Sequence, residues 1–164
     1  QCPGSIVIKT FDTIRALRDA GVTMIGGFHS PMEREGLDIM LRGLQPVVLC
    51  AAKSLPGMRI RQEARRALKE GRLLLLSVFS DEVRWTTSTH AIERNDLVTA
   101  LADAVFVPYA APAGKTWATV CKALERSQKV FALDDEANTD LFACGVKACQ
   151  SNNLEEILSL IGKS

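Results

Sequence analysis

The sequence predicts an α/β protein of the Rossmann-like, doubly wound type: a mostly parallel sheet with helices on both faces. Segments with apolar residues at helical spacing alternate along the chain with short runs of consecutive apolar residues. Uniformly apolar strands that alternate with helices are typical of parallel sheets covered on both faces. Glycine follows several helical segments, at Gly21, Gly43 and Gly71, where it favours the end of a helix.

The helices are predicted from their periodicity and from the residues at their ends. The second helix opens with Ser30, Pro31 and Glu33, which form the S-x-x-E pattern of a capping box with proline at the first helical position. The predicted helices cover residues 5–20, 30–42, 59–70, 89–102, 115–127, 138–143 and 153–162.

The strands are predicted from apolar runs between these helices, at residues 22–25, 47–50, 73–77, 104–107 and 129–133. The chain opens with a helix, whereas doubly wound folds normally begin with a central strand. Before that helix stands only Cys2-Pro3-Gly4-Ser5, which resembles the end of a ligand-binding loop. We therefore expect one domain over residues 1–164 whose first strand is missing from the chain.

The composition is that of an ordinary globular domain, with 47% hydrophobic residues, 24% charged residues and a net charge of +1. Near-neutrality argues against a protein whose whole surface binds nucleic acid, because such domains are usually strongly basic. A net charge near zero is still compatible with a local basic pocket. No apolar run approaches the roughly 20 residues that span a bilayer, so we expect a cytoplasmic protein with no membrane partner.

Cysteine and histidine usage argues against a metal site. The five cysteines show no C-x-x-C spacing, and the chain has only two histidines, so a zinc site is not expected. Cys50 and Cys121 are interpreted as small apolar residues that are buried in the core. Free thiols fit a reducing compartment. We expect neither a metal nor a cofactor.

The first candidate ligand loop runs from Gly26 to Ser30, after a predicted strand, where parallel sheets bind their ligands. Gly26 and Gly27 allow close backbone approach, and the helix that begins at Ser30 attracts anions. The same residues fit a well-capped helix without a ligand, since Glu33 occupies one donor. His29 is then either a ligand contact or a plain loop residue.

The second candidate loop precedes the predicted helix at 115–127 and contains Gly114, Lys115 and Thr116. It is not a Walker A motif, because Tyr109 stands where that motif needs a glycine. A loop of small residues that opens a helix can still hold a phosphate through backbone N–H groups. The alternative is a plain turn and helix start.

Aromatic and basic residues supply the remaining ligand candidates. Arg94 can pair with a phosphate in fork geometry and Asn95 can bond a base or the backbone, unless the two belong to a solvated charged face. Trp85 follows Arg84 in the longest irregular segment. It can stack a base, or it can plug the edge of the core.

No catalytic set emerges, since the chain has neither a G-x-S-x-G nor an H-E-x-x-H pattern. Glu33 beside Gly27, with His29, is the only acid–base candidate. A non-catalytic binding module is therefore favoured.

In order and spacing, several segments resemble the DNA-processing protein A (DprA/Smf) family, part of the wider SLOG nucleotide-binding superfamily. They are Gly26-Gly27 after a strand, Arg94-Asn95 in a helix, the strand at 105–107 with its small-residue loop and Thr116, and the strand at 129–133 that leads to Asn138. The resemblance implies a nucleotide or single-stranded DNA site above the sheet. It also implies a homodimer and, as in DprA itself, delivery of single-stranded DNA to a RecA-type recombinase in DNA recombination.

Carried over residue by residue, the resemblance implies phosphate contacts from Gly27, Arg94, Asn95, Gly114 and Thr116. The family's G-G-A-R-G-I-D segment is G-G-F-H-S-P-M here, without the arginine, and its R-N-R is Arg94-Asn95-Asp96. The resemblance to the superfamily implies two alternatives, a nucleotide-processing enzyme that uses Glu33 and a regulatory sensor of small nucleotides. The full set of candidate ligand residues is Gly26, Gly27, His29, Ser30, Arg94, Asn95, Gly114, Lys115 and Thr116.

Overall fold

The computed structural model describes residues 2–162, which fold into two compact units. The central unit is Arg18–Val98, and the terminal unit combines the chain up to Leu17 with the chain from Thr99 onward. Each unit contains a three-stranded parallel sheet. The strands are β1 Met24–Gly26, β2 Val47–Cys50, β3 Leu73–Leu76, β4 Ala104–Phe106, β5 Lys129–Leu133 and β6 Lys147–Cys149.

Helices connect successive strands, as parallel pairing requires. A short 3₁₀ helix at Glu136–Asn138 precedes the sixth α-helix. The α-helices in the described residues are α1 Gly4–Asp19, α2 Pro31–Leu41, α3 Gln62–Lys69, α4 Ser88–Leu101, α5 Lys115–Glu125, α6 Thr139–Ala143 and α7 Glu155–Leu160.

The central unit orders its strands β1-β2-β3, with α2 and α3 as the crossovers. Val47 and Leu73 pair across β2 and β3 and are both buried. Ala64 and Ala67, the buried residues of α3, are small. Arg72 closes the end of α2, because its Nη1 donates to the carbonyl of Leu41, the last residue of α2, at 3.4 Å and to that of Gly43 at 2.9 Å. Terminal helix carbonyls lack partners within their own helix, so these contacts stabilise α2.

The terminal unit orders its strands β4-β5-β6. The central strand β5 is buried from Val130 to Leu133. The core of this unit also contains Val105 from β4, Val120 from α5 and Leu141 from α6. Asn138 is fully buried at the carboxyl end of β5, and its Nδ2 donates to the carbonyls of Pro108 and Leu133, both at 2.9 Å. This one amide therefore ties the segment after β4 to the end of β5.

The predicted α/β class with parallel strands is confirmed, and β2 and β5 have the predicted limits. The strands form two three-stranded parallel sheets, one in each unit. The strand β6 was not predicted, because it has only three residues and its charged Lys147 interrupts the apolar pattern. Cys50 is buried as expected, whereas Cys121 is only partly buried. The expectation of one domain over residues 1–164 stays a prediction.

Within residues 2–162, no helix combines the length and the apolar character that crossing a membrane requires.

Replacing Asn138 with alanine should lower the free energy of unfolding by about 2 kcal/mol, because two carbonyls lose their donor. Urea denaturation followed by circular dichroism measures this loss. Asn152 is exposed, and its alanine variant should stay within about 0.5 kcal/mol of the unchanged protein. Equal stability of the two variants would contradict the role given to Asn138.

Candidate phosphate-binding site

Arg94, on α4, places its guanidinium at the carboxyl ends of two strands of the central unit. The residue is only 6% exposed. Its Nη1 donates to the carbonyl of Cys50, the last residue of β2, at 3.1 Å. On another side the guanidinium lies against Gly27, the residue after β1. The carboxyl ends of parallel strands are where open α/β sheets bind their ligands.

The fit between Arg94 and Gly27 leaves no room for a side chain at position 27. A Cβ built on Gly27 would lie 1.5 Å from Nη1 of Arg94 and 1.9 Å from its Cζ. Gly26 makes room for a different residue, because a Cβ built on it would lie 3.2 Å from the ring of Phe28. Phe28 is buried and has a φ of 47°, in the left-handed region that non-glycine residues rarely adopt. Such strained residues persist where packing over-determines them, often at functional loops.

Asn95 orients the guanidinium from its other end. Its Oδ1 accepts a hydrogen bond from Nε of Arg94 at 2.8 Å. Asn95 therefore positions Arg94, in addition to any contact of its own with a ligand. Two of the three guanidinium nitrogens are held by oxygen atoms, and no described residue accepts a hydrogen bond from Nη2.

The electrostatics of Arg94 favour an anion. Its partners are a carbonyl and an amide, and no carboxylate of residues 2–162 forms an ion pair with it. A buried charge without a counter-charge is unfavourable unless hydrogen bonds compensate. Burial raises the pKa of the Cys50 thiol, and the Arg94 charge offsets part of that rise. A phosphate would supply the missing negative charge in the fork geometry that guanidinium prefers.

The N-terminus of α2 is a capped helix start, as one of the two interpretations predicted. Ser30 Oγ accepts from the Glu33 amide at 3.2 Å, and a Glu33 carboxylate oxygen accepts from the Ser30 amide at 2.8 Å. Pro31 has no N–H, so few amide donors remain for an anion. His29 is exposed. Contacts from Ser30 and His29 to a ligand stay predictions, as does an acid–base role of Glu33, whose carboxylate caps the helix.

The second loop, in the terminal unit, lacks such a cap. Gly114 is the N-cap of α5, and no side chain of the described residues caps it. The amide of Gly114 donates to the carbonyl of Ala111 at 3.1 Å, and Ala113 has a φ of 60°. Lys115 and Thr116 are exposed at the first turn. This helix start is a separate candidate for an anion contact, and its residues also stay predictions.

Sequence reasoning proposed Gly27 and Arg94 as phosphate contacts, which stays a prediction, and it missed two features beside them. The carbonyl of Cys50 is a main-chain atom and has no signature in sequence, although its position at the end of a predicted strand marks it as a ligand-side group. The anchoring of the segment before α4 was also missed. Its Trp85 is 81% exposed, so the core-plug interpretation of this residue is wrong.

No metal site accompanies these groups in residues 2–162, where no three His, Cys, Asp or Glu side chains cluster in a way that could hold an ion.

Several solved structures share this fold. DNA processing protein A from Streptococcus pneumoniae matches with a TM-score of 0.76 and 16% identity, over 96% of this chain and 57% of that one. DNA processing protein A from Helicobacter pylori matches with a TM-score of 0.75 and 16% identity, over 99% of this chain and 76% of that one. The molybdenum cofactor binding protein from Rippkaea orientalis matches with a TM-score of 0.67 and 14% identity, over 98% and 90%.

These identities show a common fold and no more. The chain spans little more than half of the Streptococcus pneumoniae protein. Comparison with curated protein sequences finds no match. Residues 12–158 match the model of a protein family that is described as DNA recombination-mediator protein A. This chain therefore belongs to that family.

Proposed function

We propose that this chain is a non-catalytic module that binds single-stranded DNA in DNA processing or recombination, with a backbone phosphate held by Arg94. The observation that carries the proposal is the buried guanidinium without a carboxylate partner at the carboxyl ends of β1 and β2. Membership of a family of recombination mediators supports it. The Helicobacter pylori relative is described by its mode of binding single-stranded DNA.

Such binding rests on few charges. With a net charge of +1, the chain has no broad excess of cations to attract a strand. Each phosphate that is neutralised on a single strand contributes about −0.7 to the slope of log K against log salt. We therefore expect a shallow salt dependence, set mainly by Arg94, because neutral backbone amides bind phosphate without adding charge. We also expect little sequence preference, because phosphate contacts carry no base information.

A small phosphate-bearing nucleotide is the second candidate ligand. The same guanidinium can hold the phosphate of a mononucleotide. The Rippkaea orientalis protein, named for binding a cofactor, resembles this chain over 90% of its own length, so the fold alone accommodates small ligands in a relative. Competition distinguishes the candidates: a mononucleotide that displaces an oligonucleotide at comparable concentration would favour the small ligand.

We further propose, from the resemblance to DprA, that the chain forms a homodimer and passes single-stranded DNA to a RecA-type recombinase. Sedimentation equilibrium at micromolar concentration should return the mass of two chains. A single-chain mass over that range would contradict the dimer.

The variant Arg94→Ala should weaken binding of a fluorescent oligothymidylate at least tenfold, since it removes the guanidinium that faces the phosphate. The slope of log Kd against log salt should also become shallower by about 0.7, the share of one phosphate contact. Fluorescence anisotropy at several salt concentrations measures both quantities.

Arg59, exposed in the same unit, provides the matched control, because Arg59→Ala changes the net charge by the same amount. It should leave affinity and slope nearly unchanged. Circular dichroism verifies that both variants are folded. Equal losses in the two variants would show that total charge, and not the Arg94 site, determines binding.

The variant Gly27→Ala should weaken oligonucleotide binding about as much as Arg94→Ala. The new Cβ would occupy the space of the guanidinium and force Arg94 off the Cys50 carbonyl. Gly4→Ala is the control, because a Cβ at Gly4 meets nothing within 4 Å. If Gly27→Ala binds as tightly as the unchanged protein, the close packing of Arg94 on Gly27 is not needed for the site.

A further inference from the structure

We infer that Trp85 is a base-stacking residue of the same site, and that the ligand is therefore a strand with unpaired bases. This inference rests on the proposed function and deepens it, since it concerns the bases and not the phosphates. It starts from the position of one side chain in the segment between β3 and α4.

Trp85 is 81% exposed, although tryptophan is highly buried on average in folded proteins. The other tryptophan of the chain, Trp117, packs against the core of the terminal unit. Trp85 therefore contributes little to the hydrophobic core of its own unit. Every nucleobase has a flat face that can stack on an exposed indole without regard to sequence.

The backbone around Trp85 is held on both sides. The carbonyl of Val83 accepts from the amide of Ser54 at 2.8 Å, and Ser54 is itself buried. The carbonyl of Trp85 lies 3.1 Å from Nδ1 of His90. The ring of His90 also packs against Phe79, with centroids 4.9 Å apart. An aromatic side chain on an anchored segment loses little conformational freedom when a ligand binds.

These anchors belong to the same elements that carry the phosphate site. His90, which holds the Trp85 carbonyl, and Arg94 are four residues apart on α4, and such residues share one side of a helix. They are separated by about 6 Å along the helix axis. Ser54, which holds Val83, lies four residues after Cys50, whose carbonyl accepts from Arg94.

The backbone that carries Trp85 is thus held by the helix of Arg94 and by the loop after β2. A short extended strand can place a phosphate on Arg94 and a neighbouring base on Trp85. A base-stacking contact contributes to affinity by an amount that corresponds to roughly tenfold or more per base. Inorganic phosphate or a strand without bases cannot use this contact.

The test uses two short oligomers of equal length, an oligothymidylate and an abasic strand with the same phosphates. Trp85→Ala should weaken binding of the oligothymidylate about tenfold and leave binding of the abasic strand unchanged. Trp85→Phe should restore most of the affinity, because an aromatic face returns. In a Trp117→Phe background, where Trp85 is the remaining tryptophan, the oligothymidylate should quench its fluorescence and the abasic strand should not.

The inference is overturned if Trp85→Ala binds the oligothymidylate as tightly as the unchanged protein while Arg94→Ala binds it weakly. That result leaves the proposed function intact. If the unchanged protein shows no Arg94-dependent binding of either oligomer, the proposed function fails and the inference fails with it. If Trp85→Ala instead turns a dimer into a monomer in sedimentation equilibrium, Trp85 is a contact between copies and the inference is wrong.

Discussion

The burial of one positive charge against a bare backbone is the constraint on which the candidate site depends. Arg94 can lie at the carboxyl ends of β1 and β2 because Gly27 has no side chain to displace it. The Cys50 carbonyl and the side-chain oxygen of Asn95 accept hydrogen bonds from the guanidinium, and no carboxylate of the described residues forms an ion pair with it. Polar contacts of this kind satisfy hydrogen bonds without cancelling charge, so the site retains its attraction for an anion.

The two helix starts near the predicted ligand loops differ in what they leave available. At α2 the side chains of Ser30 and Glu33 accept from the amides of Glu33 and Ser30, and the Glu33 carboxylate adds negative charge. At α5 the N-cap is Gly114, which brings neither a side-chain acceptor nor a charge. A helix start attracts anions through unsatisfied amides and its dipole. The α5 start therefore meets that requirement better than the α2 start, although glycines precede both.

Sequence patterns predicted the fold class and most helices, for reasons that are local. The capping box at Ser30 and the apolar runs of β2 and β5 each depend on residues that are close together in the sequence, so residue spacing alone identifies them. The strand β6 is short and carries exposed residues, so it has no such pattern. The pairing of Arg94 with the Cys50 carbonyl joins residues 44 positions apart through a main-chain atom. Such contacts arise only when strands and helices are packed, and sequence periodicity does not encode them.

A chain of net charge +1 cannot hold a polyanion by long-range attraction alone. Short-range contacts must then supply most of the affinity, and they must be preorganised, because ordering a flexible segment on binding costs free energy. Both features of the central unit meet this condition. The guanidinium of Arg94 is held at two nitrogens before any ligand arrives, and the segment that carries Trp85 is anchored at Val83 and His90. Near-neutral charge, which first argues against a nucleic-acid partner, is therefore compatible with a small site in which one phosphate and one base are recognised together.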